Sequence, residues 1–224
     1  MKNTLCTIAL AACAALAHAG NLQVTVLGSD GKPAADVVVQ AVPSAAWQPQ
    51  PLPAPALIAQ QNIRFVPFVT VVPVGATVRF VNRDRFDHHV RSQAGGPLGN
   101  VAPAQQFQFR MAASRAFNKD ATQDLKLETP GVIALGCHLH GSMLGHVLVS
   151  STPWAAVTDG QGSVTLAQVP DGALELRVWH PEQLSDQAPA RLQLAGSQSA
   201  EARLNFTPKR RSAAPPPRNP DYPD

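Results

Sequence analysis

The sequence has no mid-chain run of eighteen or more apolar residues, which excludes a helical membrane span in its body. It has only 3 cysteines, and two of them, Cys6 and Cys13, lie in the first fifteen positions. It has little charge imbalance: 18 Lys and Arg stand against 15 Asp and Glu. The excess is at the two ends, in Lys2 and in a tail where Lys209, Arg210, Arg211 and Arg218 outnumber Asp221 and Asp224. The body between is near neutral, so no electrostatic footprint for nucleic acid exists and no nucleic-acid partner is expected. Long helical periods are scarce as well. Short Val-rich runs broken by Pro and Gly take their place and indicate an all-β chain.

The N-terminus has the three parts of an export signal. Lys2 gives the positive start, residues 5–16 the apolar core, and Ala17-His18-Ala19 a small-x-small cleavage site. Residues 1–19 are therefore read as a signal peptide, with Gly20 first in an exported, periplasmic chain without a transmembrane segment. Leu10-Ala11-Ala12-Cys13 resembles a lipoprotein box and offers the alternative, a lipid anchor on Cys13. After cleavage at Ala19, Cys137 is the one thiol left. It has no internal disulfide partner, so it is either a buried inert residue or a metal ligand.

Strand signals fall at residues 22–27 and 36–42, with Ser29-Asp30-Gly31-Lys32-Pro33 as a turn. Residues 45–60 follow a Pro-, Ala- and Gln-rich course read as an extended linker. Residues 61–151 hold runs at 64–72, 77–81, 89–92, 105–110, 131–135 and 146–150, the pattern of a β-sandwich. Residues 112–127 are polar and leave room for one short helix. Strand signals return at 163–166, 173–179, 190–194 and 201–206. Residues 208–224 are Pro-rich and charged and read as a disordered tail.

The chemistry concentrates in Gly136-Cys137-His138-Leu139-His140-Gly141-Ser142-Met143-Leu144-Gly145-His146. Cys137, His140 and Met143 follow C-x2-H-x2-M, which puts a thiolate, an imidazole and a thioether at the end of a strand and on the loop after it. Soft and borderline donors of this kind suit copper. Zinc is the rival, but a structural zinc site takes a further Cys or His in preference to Met143. A second imidazole is available about fifty residues earlier in Asp87-His88-His89-Val90. Period-two alternation lets only one of His88 and His89 face a given site. His138 is expected to point away from the thiolate, His146 to face solvent or a turn, and His180 to serve a strand end.

Val78-Arg79-Phe80-Val81-Asn82, His88-His89-Val90, Pro130-Gly131 and the run from Cys137 to Val149 resemble the cupredoxins, the type 1 copper proteins of plastocyanin and amicyanin type. The two-residue gap between His140 and Met143 is similar to that of amicyanin. The resemblance covers residues 61–151. It implies a Greek-key β-sandwich with one type 1 copper, held by His88, Cys137 and His140 with Met143 as weak axial ligand. Where the family has His-Asn-Val this chain has His88-His89-Val90, which leaves His89 as the alternative first ligand.

Val24-Thr25-Val26, Gly31-Lys32-Pro33, Thr158-Asp159-Gly160-Gln161-Gly162 and Val169-Pro170-Asp171-Gly172 resemble a carboxypeptidase-regulatory-like, transthyretin-like sandwich. It would comprise residues 20–44 and 152–207, with the cupredoxin inserted in it or packed with it. The whole layout is similar to that of exported methylamine-utilisation and plastocyanin-like proteins. These resemblances imply a one-electron carrier that meets a redox partner protein. The alternatives are copper delivery without electron transfer and a non-redox interaction module. No enzymatic role is expected, because four protein ligands leave no open position for substrate.

Overall fold

The structure is a computed structural model that describes residues 18–114, 120–209 and 211. Among the described residues there is no helix, and the chain is all-β. The strands are β1 (Ala19–Leu27), β2 (Val38–Pro43), β3 (Ala56–Gln60), β4 (Phe65–Val66), β5 (Val69–Pro73), β6 (Thr77–Asn82), β7 (His88–Gln93) and β8 (Gln108–Met111). They continue with β9 (Ala121–Lys126), β10 (Gly131–Cys137), β11 (Leu144–Ser150), β12 (Ala155–Val157), β13 (Ser163–Pro170), β14 (Gly172–Trp179), β15 (Ala190–Leu194) and β16 (Gln198–Arg203).

Four sheets result, and they pair around two cores. Sheets β13-β1-β16 and β12-β2-β14-β15 enclose Leu22, Val24, Val26, Val39, Trp154, Leu166 and Leu174. Sheets β5-β11-β10-β7-β8 and β4-β3-β6-β9 enclose Ile58, Phe65, Val78, Phe80, Val90, Ile133 and Leu135. Each fully buried side chain of this size stabilises the fold by roughly 1.5–3 kcal/mol relative to exposure. The chain leaves the first pair after β2, builds the second with β3–β11, and returns at β12.

The alternation of side chains explains both cores and the seam between them. In β1, Leu22, Val24 and Val26 are buried while Asn21 and Gln23 are exposed. Strands β10 and β11 are apolar on both faces because each face is covered. Ile133, Leu135, Val147 and Val149 point into their own sandwich. Leu148, with Val132 beside it, points instead at Val38, Val157 and Trp179 of the neighbouring sheet β12-β2-β14-β15.

Several expected elements fall elsewhere. Residues 56–60, read as the end of a linker, form β3, which pairs in parallel with β6 and buries Ile58 completely. Its five residues are too few to stand out beside the prolines, and their strand state depends on a partner twenty residues away. The short helix allowed within residues 112–127 does not form where the chain is described: residues 121–126 are β9, antiparallel to β6, and residues 115–119 lie outside the described residues. Residues 1–17 of the expected export signal also lie outside them, and β1 begins at Ala19. Of the tail, Lys209 donates its backbone N–H to Glu182 at 2.9 Å, and the Arg211 guanidinium lies 3.3 Å from the Phe68 ring centre.

Candidate metal centre

Alternation in β7 and β10 decides which side chains meet. The two strands are antiparallel with Cys137 opposite Val90. His88 and Val90 share the inner face of β7, and Ile133, Leu135 and Cys137 share the inner face of β10. His88 is 0% and Cys137 4% exposed. His89 and His138 lie on the outer face. The loop after Cys137 turns back through a backbone hydrogen bond from Met143 N–H to His140 C=O at 2.9 Å. That turn returns His140 to the thiol and drops Met143, 1% exposed, into the cluster that contains Cys137.

One ligand atom each of His88, Cys137 and His140 lies within 4.8 Å of the others. His88 Nδ1 is 3.7 Å and His140 Nδ1 3.5 Å from Cys137 Sγ. Metal–nitrogen bonds of about 2.0–2.1 Å and a metal–sulfur bond of about 2.3 Å, at angles between tetrahedral and trigonal, separate N and S by about 3.6–3.8 Å. The three atoms are thus spaced as ligands of one ion. A thiolate and two imidazoles, with a buried thioether on the neighbouring loop, form a donor set that fits copper.

His88 is oriented from behind. Its Nε2–H donates to Asp84 Oδ2 at 2.9 Å, which directs Nδ1 at the thiol. Asp84 also accepts the backbone N–H groups of Asn62 at 2.6 Å and Ile63 at 3.1 Å. These two residues have φ of 54° and 55°, an uncommon conformation for a β-branched residue such as Ile63. Burial pushes the Asp84 carboxyl upward, but the hydrogen bonds from His88, Ile63 and Asn62 outweigh it and hold the group below its ordinary value. Asn82, fully buried, pins the same loop: its amide donates to Phe86 C=O at 2.9 Å and Ala112 C=O at 2.8 Å, and its oxygen accepts Asp84 N–H at 2.9 Å.

The outer side of the cluster is aromatic. The Phe86 ring lies 5.4 Å from the His88 ring and 5.2 Å from the His140 ring, and the two imidazoles are 4.8 Å apart. Burial and then the neighbouring His88 lower the His140 pKa. The thiol receives the backbone N–H of His89 at 3.4 Å, a bond that stabilises negative charge on sulfur.

The sequence pointed to Cys137, His140 and Met143 together with His88, and to His89 as the alternative first ligand; the structure brings His88, not His89, to the thiol. It missed Asp84 and Phe86. The only available signal for Asp84 was a carboxylate four residues before the histidine, which is common on solvated turns. The His146 side chain departs from expectation: it does not face solvent but packs between Phe68 and Trp179, with ring centres at 4.9 and 6.1 Å. Its place in β11 opposite Ala134 turns it toward the seam between the two pairs of sheets. His180 is buried at the end of β14, where its Nδ1 accepts Glu182 N–H at 3.1 Å. A groove of about 1110 Å³ is lined by residues including Trp47, Leu52 and Trp154 and by none of the candidate ligands.

No family model and no curated protein matches the chain. Solved structures do. A copper-containing nitrite reductase of Thermus scotoductus SA-01 is 23% identical over 49% of this chain and 25% of its own, with a TM-score of 0.35. The oxidized P96G mutant of amicyanin is 20% identical over 50% of this chain and 99% of its own, with a TM-score of 0.33. A purple cupredoxin of Nitrosopumilus maritimus is 24% identical over 42% of this chain and 99% of its own, with a TM-score of 0.32.

Proposed function

We propose that this protein is an exported one-electron carrier with a single type 1 copper. His88, Cys137 and His140 would hold it through two imidazoles and a thiolate, with the Met143 thioether as a weaker donor. The observation that carries the reading is the convergence of two imidazole Nδ1 atoms on one buried thiol at the end of a strand sandwich. Bound copper supplies a Cu(I)/Cu(II) couple.

The chain supplies the rest. Strands β7 and β10 fix His88 and Cys137 to a packed core, so the ligands are held in one arrangement whichever oxidation state is bound. Asp84 sets the tautomer of His88. Phe86 limits access of water from outside. His140 is half-buried and presents the open side of the site. Leu139, 56% exposed, and Leu144, 46% exposed, flank it and form an apolar rim for a redox partner protein. Residues 56–151 are read as the copper sandwich. Residues 20–44 and 152–207 are read as a scaffold of carboxypeptidase-regulatory-like type. Four protein donors leave no position for substrate, so catalysis is not proposed.

The test is optical. Copper-loaded protein is expected to show an intense visible thiolate-to-copper band that Cys137→Ser abolishes. A colourless loaded wild type overturns the assignment. Rapid copper loss to a chelator, with no reversible voltammetry, marks copper delivery instead of electron transfer.

A further inference from the structure

On the outer face of the same two strands, back to back with the buried cluster, two further imidazoles meet. His89 Nδ1 and His138 Nδ1 are 2.8 Å apart, and their ring centres are 4.7 Å apart. The pair extends the β7–β10 register by one step beyond Cys137 and Val90. His138 N–H donates to His89 C=O at 3.1 Å, so the backbone fixes the spacing of the two rings. Without a metal, one ring donates and the other accepts.

We propose that His89 and His138 form a second metal site, a surface site for copper(II) or nickel(II). Two nitrogens bound cis at about 2.0 Å in a square plane lie about 2.8 Å apart, whereas tetrahedral ligands lie about 3.3 Å apart. The 2.8 Å of the metal-free hydrogen bond also equals the cis spacing of tetragonal Cu(II) or Ni(II), the ions that favour nitrogen donors in that geometry, so the pair can take either ion with little movement of the rings. His138 is exposed and His89 half-buried, so an ion binds without losing its remaining waters. Arg91 follows two residues after His89 on the same face. Its charge weakens cation binding there, so the buried thiolate set fills before the surface pair. Its guanidinium also suits an anion as a further ligand on the bound ion. The two sites are joined by the Cys137–His138 peptide bond and by the His88–His89 peptide bond. The surface pair is thus placed to receive Cu(II) next to the buried ligands.

The inference stands on the outer pair and does not rest on the type 1 reading. The experiment compares the full-length protein with a His89→Gln/His138→Gln variant, titrating each with Cu(II) and, separately, with Ni(II). Copper per chain is counted, and the EPR and visible spectra are recorded. The expected result is two coppers per wild-type chain and one per variant chain, with a tetragonal Cu(II) signal lost in the variant. Ni(II) binding is lost with it, and an unchanged thiolate band shows that the variant is folded and its buried site intact. Equal copper and nickel stoichiometry in the two proteins overturns the second site and leaves a simple hydrogen bond. If no thiolate band appears but the variant still loses one Cu(II), the second site stands and the type 1 reading falls.

Discussion

Asp84 ties a backbone turn to a metal-ligand candidate: a single carboxylate accepts His88 Nε2–H at 2.9 Å and the N–H groups of Asn62 and Ile63 at 2.6 and 3.1 Å. The turn between β3 and β4, with its two left-handed residues, and the aim of the His88 ring are thereby coupled. A perturbation at either end reaches the other through one side chain.

Asp84→Asn tests that coupling. The amide has one acceptor oxygen where the carboxylate has two, so either the turn or His88 loses its partner. Loss of an outer partner of a metal-bound histidine lowers affinity by about 10–100-fold. We expect copper affinity, measured by chelator competition, to fall by that factor. Retention of full affinity would show that the Asp84–His88 bond does not orient the ligand.

Met143→Leu separates packing from coordination. The side chain is 1% exposed among core residues, and a Met-to-Leu swap keeps the volume, so unfolding free energy should change by less than about 1.5 kcal/mol. The thioether is removed, and with it a weak donor that favours the higher oxidation state. The reduction potential should rise in voltammetry while the thiolate band persists. An unchanged potential would place Met143 outside the coordination sphere.

Phe86→Ala examines the aromatic cover. The ring is 41% exposed yet lies over both imidazoles. Its removal opens the site to water without touching a ligand, and the shell around a metal controls that access. We expect copper release to a chelator to become several-fold faster with the optical spectrum nearly unchanged. An unaltered release rate would mean that exchange proceeds on the His140 side alone.

The site was legible in the sequence to the extent that chemistry is local. Cys137, His140 and Met143 are spaced by one loop, and that spacing could be read directly. Alternation alone left His88 and His89 open, since it does not say which neighbour faces inward; the family resemblance favoured His88, and the register of β7 against β10 puts His88 on the inner face. The buried role of His146 depended on the seam with Trp179, a residue of a distant strand. Strand β3 was hidden for the same reason, since Ala56–Gln60 becomes a strand only beside β6. Features that follow from one segment's pattern were visible, whereas those that follow from a partner segment were not.

His146 gives a pH dependence with a definite sign. Burial first, and then the charges of Arg211 and His180, lower its pKa from an ordinary 6.5 to about 4, and its Nδ1 has no hydrogen-bond partner. The unfolded chain takes up the proton near pH 6.5 and the folded chain only near pH 4. The neutral ring therefore leaves stability intact above pH 6.5, and that stability is lost as pH falls toward 4, by up to ~3 kcal/mol. Denaturant unfolding of wild type and His146→Leu at pH 7.5 and pH 4.5 should show a smaller acid loss in the variant. Parallel losses in the two proteins would assign the acid sensitivity to other groups.

Arg211 acts on the same seam from the tail. Its guanidinium stacks on Phe68 at 3.3 Å, adds to the downward shift of His146, and opposes the rise that burial imposes on the Asp36 carboxyl. Arg211→Gln removes a cation–π contact of about 0.5–2 kcal/mol and should raise both pKa values. A higher His146 pKa reduces the acid penalty of the folded state. A higher Asp36 pKa increases the cost of ionising that carboxyl above pH 4. Both changes make the substitution cost more stability at pH 7 than at pH 4, which unfolding at the two pH values measures. An equal cost at both would confine Arg211 to its contact with Phe68 and remove its charge from the balance at the seam.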